Sequence, residues 1–129
     1  MKTTYMLRPF AARSRSRSQE DIYVPINVSL NDDIFEISAY LPGVSAEDVE
    51  IEIIEDRIEI EGEIPELELE EGQRLLRREL PAGQFHRSMR LGSKLDSGKA
   101  EATVRDGILH LSVPKAEEAK THKIAVKAK

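Results

Sequence analysis

Three histidines, His86, His110 and His122, are the side chains best suited to metal ligation, and they lie scattered along the chain. None has a Cys partner or an acid at metal-ligand spacing, so no metal site is expected. His110 alternates with apolar positions and is expected to face solvent or a neighbouring strand. Ser and Asp are plentiful, yet no nucleophile-elbow pattern surrounds them. No glycine-rich loop of the Walker kind is present, which argues against a nucleotide. The many Glu residues occupy alternate positions of strand-like runs. They read as solvated faces that discourage edge-to-edge aggregation rather than as acid/base pairs. No catalytic, cofactor-binding or metal-binding residue is assigned, and an enzyme is not expected.

One further segment carries chemistry. Arg13-Ser14-Arg15-Ser16-Arg17-Ser18 could contact phosphates of a nucleic acid or accept phosphorylation. It is six residues long, lacks interleaved aromatics and belongs to a chain of net charge -5. Nucleic acid is therefore not expected among the partners. The charge is strongly segregated. Lys2, Arg8, Arg13, Arg15 and Arg17 precede an acidic stretch from Glu47 to Glu71, and Lys115, Lys120, Lys123, Lys127 and Lys129 make the end basic again. Such blocks can attract one another between subunits.

The elements that would position any site follow from period and punctuation. A length of 129 residues suits one domain, and 40% apolar with 33% charged residues suits a solvated surface around a real core. Cys is absent, which removes disulfides and fits a reducing compartment. The apolar stretch Tyr5 to Phe10 is broken by Arg8 and Pro9, and no run reaches membrane-spanning length. A soluble cytoplasmic protein is the expectation.

Residues 1–21 read as a flexible basic arm and 115–129 as a tail, because neither holds enough apolar surface to offset the entropy of ordering. Between them, residues 22–114 show a period of two. Ile26, Val28 and Leu30 alternate with polar residues. So do Phe35, Ile37 and Ala39, then Val49, Ile51 and Ile53, then Ile58 and Ile60. Ala100, Ala102 and Val104 repeat the pattern, as do Leu109, Leu111 and Val113. Asn31-Asp32-Asp33 and Glu55-Asp56 suit tight reversals, and Asp106-Gly107 is a hairpin signal. Helix is expected only near Ser45, as a single turn with Asp48 at capping-box spacing. Residues 63–84 form a long acidic interruption, and loops of that length usually have a job. The fold class is all-β, an immunoglobulin-like two-sheet sandwich.

Several blocks together resemble the α-crystallin domain of the small heat-shock proteins, over about residues 25–126. Leu41-Pro42-Gly43-Val44 with Glu47-Asp48-Val49 resembles an early family block. Glu79, Gly83, Phe85 and Arg87 resemble a second, with Leu80 and Pro81 where the family often has Arg and an aromatic. Ala102, Gly107 and Leu109 resemble the AxxxxGxL signature, and Ile124-Ala125-Val126 the IxI/V tail motif. The signature also has a local reading: a small residue on an inward face, a positive-φ turn and the restart of a core face.

The resemblance implies an ATP-independent holdase that binds non-native client proteins and assembles into homodimers and larger homo-oligomers. It implies client contacts by Tyr5, Met6, Leu7 and Phe10 in the arm. It implies that Arg74, Leu75, Leu76, Arg77, Arg78 and Glu79 form a strand that pairs with a partner's edge near Ile26 and Val28. It also implies that Ile124 and Val126 dock in a neighbour's groove lined by Val49, Ile51, Ile53, Ala102 and Val104. A co-chaperone adaptor is the alternative, although that class usually lacks both the AxxxxGxL signature and the IxV tail.

Overall fold

The computed structural model describes the backbone of residues 2–6 and all of residues 22–129. Eight strands are present: β1 Lys2–Met6, β2 Ile26–Asn31, β3 Ile34–Tyr40, β4 Val49–Ile54, β5 Arg57–Ile64, β6 Gly83–Arg90, β7 Glu101–Arg105 and β8 Ile108–Pro114. They form two antiparallel sheets, ordered β1-β4-β5-β6 and β2-β3-β8-β7. Short 3-10 turns at Ala46–Asp48, Ser97–Lys99 and Glu117–Ala119 are the only helical elements among the described residues. The architecture is the all-β sandwich that the alternation predicts.

Alternation becomes burial where two sheets face each other. Val49, Ile51 and Ile53 of β4 and Ile58 and Ile60 of β5 are buried on one side. Phe35, Ile37 and Ala39 of β3 and Leu109, Leu111 and Val113 of β8 are buried on the other. Each aliphatic side chain so buried contributes roughly 1.5–3 kcal/mol. The intervening Glu residues of β4 and β5 pair across strands, Glu50 with Glu61 and Glu52 with Glu59, on the opposite face.

The turns follow their residues. Asp106 and Gly107 both take positive φ, 54° and 75°, as a type I′ hairpin requires. The expected turn at Ser45 is a 3-10 turn, and its hydroxyl does not cap the backbone. It donates to Asp48 Oδ2 at 2.9 Å instead.

Three departures from the sequence reading are physical. First, β1 is a strand where a flexible arm is expected. It pairs antiparallel with β4, from Lys2 opposite Ile54 to Met6 opposite Glu50. An available strand edge supplies the ordering that KTTYM lacks by itself. Second, β6 carries no regular apolar alternation. Its row Phe85, Arg87 and Met89 pairs with Gly62, Ile60 and Ile58, so an arginine stands in the apolar series. Third, β2 alternates in sequence yet is exposed along nearly its whole length. It is the outermost strand of its sheet, paired only with β3 among the described residues.

Candidate functional site

The residues with functional potential lie on the rims of the sandwich. Two flanks can be told apart. On one, the segment leading into β2 is clipped to β6. Ile22 N donates to Gln84 O at 3.0 Å, and Arg87 Nη1 donates to Val24 O at 2.8 Å. The Arg87 guanidinium also lies 5.3 Å from the Tyr23 ring centroid. This clip was invisible in the sequence, because an arginine in a strand normally reads as solvent-facing. On the other flank, β1 and β7 are the outer strands of the two sheets, with β4 next to β1, and β1 runs beside the Ser97–Lys99 turn that leads into β7.

The β2 flank presents apolar surface that is uncovered among the described residues. Val28 is 43% and Leu30 50% exposed. Ile26, the other expected dimer contact, is partly buried against the core. Residues 65–81 are exposed throughout and contain no strand. Arg74, Leu75, Leu76, Arg77, Arg78 and Glu79 all lie in this projection. Leu76 and Leu80 are more than four-fifths exposed, Leu75 less so. Its ion pairs, Arg78 with Glu66 at 3.6 Å and Arg77 with Glu79 at 4.0 Å, are surface pairs of little energetic weight. Among the described residues the projection joins neither sheet.

The β4/β7 flank gathers all five expected groove residues. Val49, Ile51 and Ile53 are buried. Ala102 and Val104 are half-buried and pack against the same core. The first three thus lie deep between the sheets, and the last two nearer the rim. Of the expected arm contacts, Tyr5 and Met6 stand on β1 opposite Ile51 and Glu50. Leu7 and Phe10 lie outside the described residues.

The tail leaves from a pinned root. Lys115 N donates to Asp33 O at 2.7 Å and Ala116 N to Lys94 O at 2.8 Å. Lys94 Nζ reaches Glu118 at 3.1 Å and Lys120 Nζ reaches Glu117 at 2.7 Å. Donating to the Glu118 carboxylate raises the pKa of Lys94, and donating to Glu117 raises that of Lys120. Lys120 in turn lowers Glu117. Glu118 is lowered first by a backbone hydrogen bond and then by Lys94. Beyond this root Ile124 and Val126 are 87% and 95% exposed.

The two most distinctive sequence blocks meet in space. Leu41 N donates to Gly107 O at 2.7 Å. A Cβ on Gly107 would come within 3.3 Å of Pro42 Cα, at a φ of 75° that L residues rarely adopt. Leu109 is buried and Ala102 pairs with Leu111 across the same hairpin. Gly62, which the sequence reading passed over, is equally constrained: a Cβ there would stand 2.6 Å from Phe85 Cζ.

No cluster of metal-ligating side chains occurs among the described residues. No helix among them is long and apolar enough to cross a membrane. Fold, hairpin signature and tail together define a sandwich of the α-crystallin type. A model of the Hsp20/alpha crystallin family matches residues 27–127. The chain is 32% identical over 103 residues to the 18 kDa antigen 2 of Mycobacterium avium, covering 80% of this chain and 73% of that one. It is 30% identical over 112 residues to small heat shock protein C2 of Rickettsia felis, covering 87% and 73% respectively. Among solved structures, heat shock protein 16.0 of Schizosaccharomyces pombe superposes with a TM-score of 0.69 at 31% identity, over 83% of this chain and 100% of that one. The chain belongs to the Hsp20/alpha crystallin family, and this membership supports a chaperone role.

Proposed function

We propose that the protein is an ATP-independent holdase that binds partly unfolded proteins and keeps them soluble, working as a dimer-based homo-oligomer in the cytoplasm. The observation that carries this reading is the coincidence of a bare β2 flank, with Val28 and Leu30 exposed, and a projecting segment with Leu75, Leu76 and Leu80 exposed. A projection of one subunit laid along β2 of another covers both at once. It satisfies the free hydrogen-bonding edge and gives a two-fold dimer. Ile124 and Val126 then link dimers by docking between β4 and β7 of a neighbour. Their i, i+2 spacing puts both on one side of an extended tail. The arm, with Tyr5, Met6, Leu7 and Phe10, is assigned to clients. No nucleotide, metal or nucleic acid enters this scheme.

The test is light scattering of a heated model client at increasing molar ratios of the protein, without nucleotide. Scattering should fall as the ratio rises. Unchanged scattering at several-fold excess, across temperatures, defeats the reading.

A further inference from the structure

Each β-strand has two hydrogen-bonding edges, and β4 has both of its edges in use within one chain. β5 occupies one, from Val49 opposite Gly62 to Ile54 opposite Arg57. β1 occupies the other over five residues. Beside it, β7 pairs only with β8 among the described residues. The rim at which the tail is proposed to dock is therefore already taken, in the single subunit, by the start of the same chain. Meanwhile Ile124 and Val126 stand almost fully exposed at the far end of that chain.

We infer that β1 is an internal competitor for the tail's dock, so that a neighbour's tail binds the β4/β7 rim only after β1 lets go. This rests on the tail docking described under the proposed function. The occupant of the rim is β1 in the free subunit and residues 120–129 of a second copy in the assembly. Two features make such an exchange workable. β1 is short, and the net gain of its hydrogen bonds is close to the entropy lost in ordering it. The incoming tail brings two large aliphatic side chains to a rim where Ala102 and Val104 are half-buried against the core. Exchange also frees the backbone of Lys2–Met6, which includes the arm residues Tyr5 and Met6, as dimers link. Assembly and exposure of the client-binding arm become one event.

The experiment uses the full chain with Ile124→Ala and Val126→Ala, so that its own tail is silent. A fluorescent peptide of residues 120–129 is the probe, and anisotropy reports its binding. Three forms are compared: the parent, a form lacking residues 2–6, and a Thr4→Cys/Glu52→Cys form. Thr4 and Glu52 are directly opposed in the β1–β4 register. Antiparallel partners stand about 4.5–5.5 Å apart at Cα, within the range a disulfide spans. The chain has no other cysteine. If β1 holds the rim in about nine subunits of ten, its removal tightens peptide binding about tenfold. The oxidised cysteine pair should abolish binding and a reductant should restore it. This comparison is made in one folded protein and does not depend on the deletion folding. Equal binding by all three forms, oxidised or reduced, overturns the competition while leaving tail docking intact. No binding to any form, together with unchanged oligomers in the Ile124→Ala/Val126→Ala chain, removes tail docking and the competition with it.

Discussion

At one flank of the sandwich β2 lies bare, its Val28 and Leu30 half-exposed and its outer edge unpaired among the described residues. At the other flank β4 is covered by β1 of the same chain. Open sheet edges invite uncontrolled association, and proteins cover or charge them. Here the two edges differ in who supplies the cover. Among the described residues the β2 edge has no second strand beside it, and the projection of residues 65–81 carries exposed leucines. The β4 edge has a local strand of five residues. Ordering such a strand costs about 1–2 kcal/mol per residue, and each hydrogen bond returns about 0.5–1.5 kcal/mol net. These terms nearly cancel. A partner-supplied strand that also buries leucines gains roughly 1.5–3 kcal/mol for each one fully covered. Under the proposed function, the comparison separates a firm edge, to be closed between subunits, from a labile one, closed by β1 within a subunit.

The firm edge is the one whose loss should show most. Deleting residues 66–80 and rejoining the ends through a short turn is expected to leave a folded domain that is monomeric. Neither sheet of the sandwich uses those residues. Sedimentation velocity on a dilution series checks it. A deletion variant that stays dimeric would place the dimer contact elsewhere and end the contrast between the flanks.

The labile edge should give a milder effect. Ile124→Ala together with Val126→Ala is expected to leave dimers intact and to remove the larger assemblies. Each docked side chain contributes roughly 1.5–3 kcal/mol, reduced by the ordering of several tail residues. One contact is therefore weak, and many in a closed ring reinforce one another through effective concentration. Native mass spectrometry of the double variant beside the parent decides it, and identical subunit distributions would refute the tail as linker.

How much of this was legible beforehand follows the same division. Six strands, β2 to β5 with β7 and β8, are written as alternation. The hairpin at Asp106-Gly107 is written as a turn type. What alternation cannot say is whether a second sheet lies over the apolar side. Val28 and Leu30 have the same pattern as Ile51 and Ile53, yet the first pair is half-exposed and the second buried. Membership of an edge strand, not local pattern, makes that difference. Alternation placed Val49, Ile51, Ile53, Ala102 and Val104 on inward faces, but not that the first three are buried and the last two only half-buried. β1 was illegible because its partner is β4, some fifty residues away in sequence and without a turn signal between them. β6 was illegible for a different reason, the arginine in its apolar row.

That arginine gives the smallest and most local expectation. Arg87 sits beside Ile60 on β6, at a position where alternation calls for an apolar side chain. Its Nη1 instead reaches out of the sheet to Val24 O, and Val24 is 1% exposed. The guanidinium also lies over Tyr23. Together with the Ile22–Gln84 hydrogen bond, these contacts set where the chain enters β2, and hence where the bare edge begins. Arg87→Met keeps the length and apolar stem of the side chain but leaves the Val24 carbonyl without its donor. A buried acceptor so orphaned costs about 1–3 kcal/mol, and loss of the ring contact adds about 0.5–1 kcal/mol. Arg87→Lys should recover only part of this, because an ammonium lacks the planar fork that can bond the carbonyl and stack on the ring together. Urea denaturation of the three forms, in the background of the 66–80 deletion so that dimerisation does not contribute, reads the difference directly. Because the clip also sets the entry to β2, Arg87→Met in the full chain should weaken the dimer, while the Ile124/Val126-dependent contacts at the other flank stay unchanged. A variant that loses stability in the monomer and keeps the parent's dimer affinity would show that the clip holds the core and not the edge.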